Sequence, residues 1–341
     1  MQRPCDYSRT DGSWSFPGSS RCAPGRMSNA KYGSAWESSP NSFLSFPNLE
    51  PRAVILITGA AGKSGVAVCR ALVARQAPVR ALVHRPGQVQ ALRALGVAEV
   101  VVGNMLVEAD VARAANGVEA VYHICPNMSP EEITIGHLCF KAAAEQHVKR
   151  LVFHSVLHPQ IEDMPHHWKK LRVEEELIRT GLQYTILQPA QYMQNMLPTR
   201  DLIVSQGIYR VPYAVETRLG MVDLDDVGEA AAVVLMGPGH AGATYELAGD
   251  EVLTPREVAE ILSREVGRPV RAETQPIETW EQQARTAGLG AYQVATLAKM
   301  FRYYERYGFW GNPNVLRGLL RRDPTRLAAF ARRAIRPPVG G

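Results

Sequence analysis

Nothing in this 341-residue sequence approaches the stretch of about 18 apolar residues that a membrane span requires. No basic run marks a nucleic-acid surface either. Charge is nearly balanced, with 38 basic against 33 acidic residues and a formal net charge of +5, too mild and too dispersed to draw the chain to a polyanion. The five cysteines (Cys5, Cys22, Cys69, Cys125 and Cys139) are an odd number without CxxC spacing. A disulfide framework or zinc site is therefore not expected, and a reducing compartment fits better. No internal repeat is present. What the chain does have is 46% hydrophobic residues, ample for a packed core. The expectation is a soluble, cytoplasmic protein with no metal, no membrane and no nucleic-acid partner.

Residues 1–50 differ from the rest. They are rich in Ser, Pro, Gly and Asn and carry no helical or strand period, so they read as an unstructured leader, or as an overlong start with Met27 the true one. A secretory signal is excluded by the missing apolar region, and Asp6, Asp11 and Glu37 argue against a transit peptide. From residue 53 short apolar strands alternate with helices: 53–58, 79–83, 100–102, 120–124, 151–154 and 184–187 as strands, with helices such as 64–75, 130–147 and 166–180. Strands apolar throughout and interleaved with helices predict a parallel sheet covered on both faces. The expected fold is α/β, a doubly wound parallel-sheet Rossmann fold over residues 51–190, with a smaller α+β C-terminal portion over 191–335, interleaved with the core, to bind substrate. In that portion Thr254-Pro255 should begin a helix that Gly267 ends, and Asp225 and Asp226 should cap another.

The first strand runs straight into Thr58-Gly59-Ala60-Ala61-Gly62-Lys63-Ser64-Gly65, which opens a helix. Glycine at 59, 62 and 65 lets the backbone tighten and approach a diphosphate, while the helix start offers free N–H groups. Gly62-Lys63-Ser64 copies the end of a phosphate-loop motif, but the glycine required five residues earlier is Ile57, so a nucleotide triphosphatase fails on spacing. Ala61, Lys63 and Ser64 join the three glycines as candidate dinucleotide-binding residues. The second strand ends in Val83-His84-Arg85, and no Asp or Glu occurs between Ser64 and Glu99. An acidic residue there would bond the ribose 2′-hydroxyl of NAD(H). Arg85 suits a 2′-phosphate through its planar donor fork, so NADP(H) is expected over NAD(H).

These residues resemble the NmrA-like family, atypical members of the short-chain dehydrogenase/reductase superfamily. The likeness is carried by TGAAGKSG, ALVHRP, VVGNM, HVKRLVFHS, the 170–174 stretch KLRVE, and GLQYTILQPAQYMQN at 181–195, with YELAGDEVLTPREVAEILSREVGRPV beyond. It spans residues 53 to roughly 333. It implies an NADP(H) site in which Asn104 and Met105 border the adenine, with Asn where the family more often has Asp, and the backbone at Cys125 borders the cofactor. Tyr192, Met193 and Asn195 would border the nicotinamide and substrate. The family holds reductases of quinones, aromatic dyes and related molecules, and also NADP(H)-binding regulators without turnover. The resemblance thus implies an NADPH-dependent oxidoreductase for a small quinone-like, aromatic or carbonyl acceptor. The alternative is a non-catalytic redox sensor acting through a regulatory protein partner, and a homodimer is left open.

Ordinary members of the superfamily use Tyr-x-x-x-Lys, the tyrosine giving the proton and the lysine lowering its pKa. None of the twelve tyrosines has lysine four residues later, which also disfavours a nucleotide-sugar epimerase. His166 and Lys170 are four apart and share a helix face, and Lys170 takes the place of the family lysine. Ser155 ends the fifth strand, where a carbonyl-polarising hydroxyl would sit. Ser155, His166 and Lys170 are accordingly the candidate catalytic residues, with His166 able to supply a proton near neutral pH. Hydride delivery to a quinone or cationic dye can proceed without a protein acid when the reactants are held in line.

Overall fold

The computed structural model describes residues 53–336; the expected leader over residues 1–50 lies outside them. Among the described residues the chain builds β1 (Ile55–Ile57), α1 (Lys63–Val73), β2 (Val79–Val83), α2 (Val89–Ala94), β3 (Glu99–Val102), α3 (Glu108–Ala115), β4 (Ala120–His123), α4 (Glu132–Glu145), β5 (Arg150–His154), α5 (Pro165–Arg179) and β6 (Tyr184–Pro189). There follow β7 (Gln191–Tyr192), a tight helical segment over Met193–Thr199, β8 (Ile208–Val211), β9 (Leu219–Val222), α6 (Leu224–Met236), β10 (Ala243–Leu247), β11 (Val252–Leu253), α7 (Pro255–Val266), β12 (Arg271–Thr274), α8 (Ile277–Thr286), α9 (Ala291–Tyr307), α10 (Asn314–Leu320) and α11 (Leu327–Ala334).

The central sheet has seven strands in the order β10-β6-β5-β4-β1-β2-β3, and every neighbouring pair is parallel. This is the doubly wound Rossmann arrangement. Its strand order reverses between β1 and β4, and in open sheets of this kind ligands bind at the carboxyl ends of the strands by such a switch. Strands with both faces covered must be apolar on both, and Ile55, Leu56 and Ile57 of β1 are all buried. One face packs against α1 and α6 through residues such as Val68, Leu72, Val227 and Ala231. The other packs against α3, α4 and α5 through Val111, Phe140, Val173 and Leu177. Each such side chain taken fully from water contributes about 1.5–3 kcal/mol.

One strand after residue 190 returns to this sheet: β10 pairs from Ala243 with Thr185 to Leu247 with Pro189. Edge hydrogen bonding on β6 is open to any strand that returns in register, which local sequence does not reveal. The pair β8–β12 and the trio β11-β9-β7 form two small separate sheets. Thr254 caps α7 through a reciprocal pair with Glu257, and Gly267 ends it in the left-handed region at φ 78°, as expected. The cap of α6 is Asp223, whose carboxylate accepts from Asp225 N, in place of Asp225 and Asp226. Asp226 is instead buried and accepts from Arg322 at 2.7 Å and from Thr325 N at 2.6 Å.

Candidate functional site

The glycine turn lies over the switch between β1 and β4. Thr58 ties the two strand ends together: its hydroxyl donates to Ile124 O at 3.1 Å and accepts from Ile124 N at 2.9 Å. Gly59 holds φ 56°, and a Cβ there would stand 2.7 Å from Ile124 O. A Cβ on Gly65 would stand 2.4 Å from Gly59 O, so only glycine lets the helix start close on the turn. Gly62, by contrast, would meet only Gly59 O, at 3.3 Å, and its outer side is open. Gly62 is also the N-cap of α1; no side chain caps that end and no acidic residue occupies the first turn. Unpaired N–H groups, an open glycine and a positive dipole end fit a diphosphate. Ala61 is half-buried beside the turn and Ser64 is buried within it. Lys63 is exposed, its Nζ 3.5 Å from Asn195 Oδ1.

Arg85 follows β2 on an exposed loop and makes no ion pair among the described residues; its backbone N–H donates to Gln88 Oε1. Its guanidinium is free for a phosphate. Asn104 is half-buried after β3, its side-chain oxygen accepting from Leu106 N while Asp110 accepts from its backbone N–H. Met105 packs against the core beneath α3 and α4. Cys125 is 6% exposed, and burial pushes its thiol well above the ordinary range, with Glu132 adding to the shift. Any part it plays at the turn is through its backbone.

The three residues expected to be catalytic lie close to this edge, but with partners that change what they can do. Lys170 sends Nζ to Glu132 Oε1 at 2.8 Å and to His154 O at 3.2 Å. Its side chain is 14% exposed and that of Glu132 only 4%. Burial works against the ammonium, but Glu132, with Cys125 and Tyr192 behind it, outweighs this and raises its pKa above the usual lysine range. Two of its three donors are engaged and the third remains.

Ser155 is buried and gives its hydroxyl proton to Glu174, whose other bonds come from Gln188 Nε2 at 2.9 and 3.1 Å. That proton is directed into the protein, away from any carbonyl at the strand end. The surroundings of His166 favour its neutral imidazole. Burial pushes it down to about 2, with His167 and Lys170 adding to the effect, and its Nδ1 is buried without a partner. A sequence supplies the type of residue and its spacing but not the desolvation that decides its charge.

Of the residues after β6, Tyr192 is half-buried and Asn195 exposed, while Met193 is 2% exposed and belongs to the core. Several residues of this edge carry no motif. They are Glu132, which holds Lys170, and the buried trio Tyr122, His123 and His154. The sequence signal for the trio is polarity inside otherwise apolar strands, in AVYH and RLVFH. His123 meets Thr58 Oγ1 through Nδ1 at 3.0 Å and stacks on Phe153 at 5.7 Å. Among the described residues no group of three or more His, Cys, Asp or Glu side chains could hold a metal ion, and no helix is long and apolar enough to cross a membrane.

The profile of the NmrA-like family matches residues 51–327. The (4-alkanoyl-5-oxo-2,5-dihydrofuran-3-yl)methyl phosphate reductase of Streptomyces griseus is 34% identical over 254 residues, which covers 74% of this chain and 86% of that one. The NAD(P)H azoreductase of Xenophilus azovorans is 28% identical over 268 residues, covering 78% and 90%. Among solved structures, the NADPH-dependent quinone oxidoreductase of Escherichia coli complexed with NADPH is 26% identical, with a TM-score of 0.71 over 81% of this chain and 98% of that one. The chain belongs to the NmrA-like family.

Proposed function

We propose that this protein is an NADPH-dependent oxidoreductase that reduces a small quinone-like, aromatic or carbonyl acceptor. The observation that carries the reading is the uncapped, carboxylate-free start of α1 behind Gly59, Gly62 and Gly65, with the unpaired Arg85 at the end of β2. The reductase names of the relatives from Streptomyces griseus, Xenophilus azovorans and Escherichia coli support it.

In this reading the backbone from Gly59 to Gly65, with Ala61, Lys63 and Ser64, binds the diphosphate, and Arg85 binds the 2′-phosphate. Asn104 and Met105 border the adenine, and the backbone at Cys125 borders the middle of the ligand. The free donor of Lys170 reaches the ribose, while Glu132 keeps that ammonium charged and fixed. The bound dinucleotide supplies the hydride. Tyr192 and Asn195 face the acceptor, and Met193 shapes that wall from the core. The partner is a small molecule and the place of action the cytoplasm. Ser155 and His166 then act by position and polarity, not by giving a proton.

The test mixes purified protein with NADPH and a panel of quinones, aldehydes and aromatic dyes, and follows loss of the reduced-nicotinamide absorbance. Turnover that disappears in Lys170→Met supports the reading. NADPH binding without turnover of any acceptor would overturn it in favour of a non-catalytic NADP(H) sensor with a protein partner. The absent Tyr-x-x-x-Lys and the inward Ser155 hydroxyl are the observations on that side.

A further inference from the structure

A line of polar side chains crosses the carboxyl edge of the sheet from the core to the glycine turn. Tyr122 of β4 is fully buried, and its hydroxyl lies 2.5 Å from His154 Nδ1. His154, at the end of β5, is also buried, and its Nε2 lies 2.7 Å from the hydroxyl of Tyr192. Tyr192 stands near Ser64 in the first turn of α1, and Asn195, three residues on, accepts from Lys63 of the same turn at 3.5 Å. The two tyrosines thus flank one imidazole, with the outer one beside the turn expected to hold the dinucleotide.

The direction of these bonds follows from burial. The Tyr122 hydroxyl has no hydrogen-bond partner but His154 among the described residues, and a buried O–H left undonated is costly. Tyr122 therefore donates to Nδ1. A neutral imidazole carries a single proton, which then sits on Nε2 and is donated to the Tyr192 oxygen. Burial, with Lys170 and His123 adding to it, keeps His154 neutral by pushing it down to about 3. With an N–H already filling one side of its oxygen, Tyr192 turns its own proton away from His154. Burial raises the Tyr192 pKa and keeps the phenol protonated at rest, while the Lys170 ammonium, bonded to the His154 carbonyl at 3.2 Å, partly offsets that rise.

We propose that Tyr192 gives the proton in the reduction, with His154 and Tyr122 as positioning residues that aim its hydroxyl into the site; this rests on the reductase reading above. The step balances as a two-electron reduction. With hydride from a bound dinucleotide going to the acceptor carbon, the O–H bond of Tyr192 would break and an O–H bond would form on the acceptor oxygen. The tyrosinate left behind is held by His154 Nε2–H and the nearby ammonium until water returns a proton. This replaces the missing Tyr-x-x-x-Lys with a tyrosine from another element, whose partner is an imidazole and not a lysine on its own helix.

The test uses two acceptors on the full chain: a carbonyl or quinone, which needs hydride and proton, and a cationic aromatic dye, which needs hydride alone. In Tyr192→Phe the ratio of carbonyl to dye turnover should fall by about 10²–10⁴, the usual worth of a general acid. NADPH affinity, read by fluorescence, should hold within about twofold, because a phenol to phenyl change removes none of the phosphate contacts. Nitrogen-15 NMR of His154 should show a neutral ring protonated on Nε2, and Tyr122→Phe should mix the tautomers. An unchanged turnover ratio in Tyr192→Phe, or a wild-type His154 protonated on Nδ1, would overturn the proposal. Wild-type protein that reduces neither acceptor would remove the reductase reading and the proposal with it, while the NMR result would still judge the direction of the bonds.

Discussion

Replacing Glu132 with glutamine removes the carboxylate facing Lys170 and leaves an ammonium of 14% exposure without its countercharge. Two routes are then open to the lysine. Kept charged, it pays the penalty of a broken buried pair, about 3–5 kcal/mol. Neutralised at pH 7, it must release a proton from a group whose ordinary pKa is 10.5, which costs about 5 kcal/mol at about 1.4 kcal/mol per unit. The routes converge, and the glutamine oxygen, still able to accept one bond, brings the loss toward the lower figure. For a chain of this size that is a fall in melting temperature of about 4–5 °C. The double variant Glu132→Leu with Lys170→Met removes both charges and should recover most of the loss, since a buried pair exchanged for apolar groups is often neutral or stabilising.

The assay is thermal unfolding by circular dichroism at pH 7, extended upward in pH. Lys170 has its pKa raised in the folded state, so its contribution is fully present below the unfolded value of 10.5 and is lost as pH climbs through the folded value. A wild-type stability that falls well below that pH for reasons tied to Lys170 contradicts the pairing. So does a Glu132→Gln variant that melts within about 1 °C of wild type, less than 1 kcal/mol on the same scale, or a double variant as unstable as the single.

Arg85→Asp should weaken NADPH and favour NADH, shifting the ratio of dissociation constants about 10- to 100-fold, the worth of a charge-assisted pair; fluorescence titration with both cofactors reads it, and an unchanged ratio removes Arg85 from the site. His123, His154, His166 and His167 are pushed by burial down to about 3, 3, 2 and 4 from an ordinary 6.5. Their depressed folded values mean that the unfolded chain takes up protons first. Stability is therefore present above about pH 6.5 and falls below it, by up to about 1.4 kcal/mol per pH unit for each ring. Urea midpoints between pH 7 and 5 should drop, and His123→Asn should flatten the slope; a level midpoint over that range would refute the burial argument.

What the sequence made legible was whatever is local. The glycine turn, the strand before it and the helix after it lie within twenty residues, and the φ of 56° at Gly59 and the tight approach at Gly65 are there as the spacing implies. The capping box at Thr254 and the stop at Gly267 are equally local. The rest depended on distant partners. Lys170 could be placed by its neighbours in sequence, but Glu132 lies 38 residues away. Ser155 was placed at a strand end by its neighbours, but the acceptor of its hydroxyl, Glu174, lies 19 residues on. His166 was read by residue type, and its charge is decided by burial. Tyr122, His154 and Tyr192 come together only because β4 and β5 are neighbours in the sheet and β7 folds back over their ends.

The sheet takes its final strand late. β6 is complete at Pro189, but the strand that covers its outer edge is not made until Leu247, after β8, β9 and α6 have been synthesised. During translation this leaves a row of unpaired backbone groups on a strand that the finished fold buries, Tyr184–Pro189, while more than fifty residues emerge. An uncovered edge of that kind is where nascent chains pair with one another or are bound by holding chaperones. A shortened chain ending anywhere between β6 and β10 would carry the same open edge permanently, so expression trials of such fragments should meet insolubility even though every strand flanking the glycine turn is already in place.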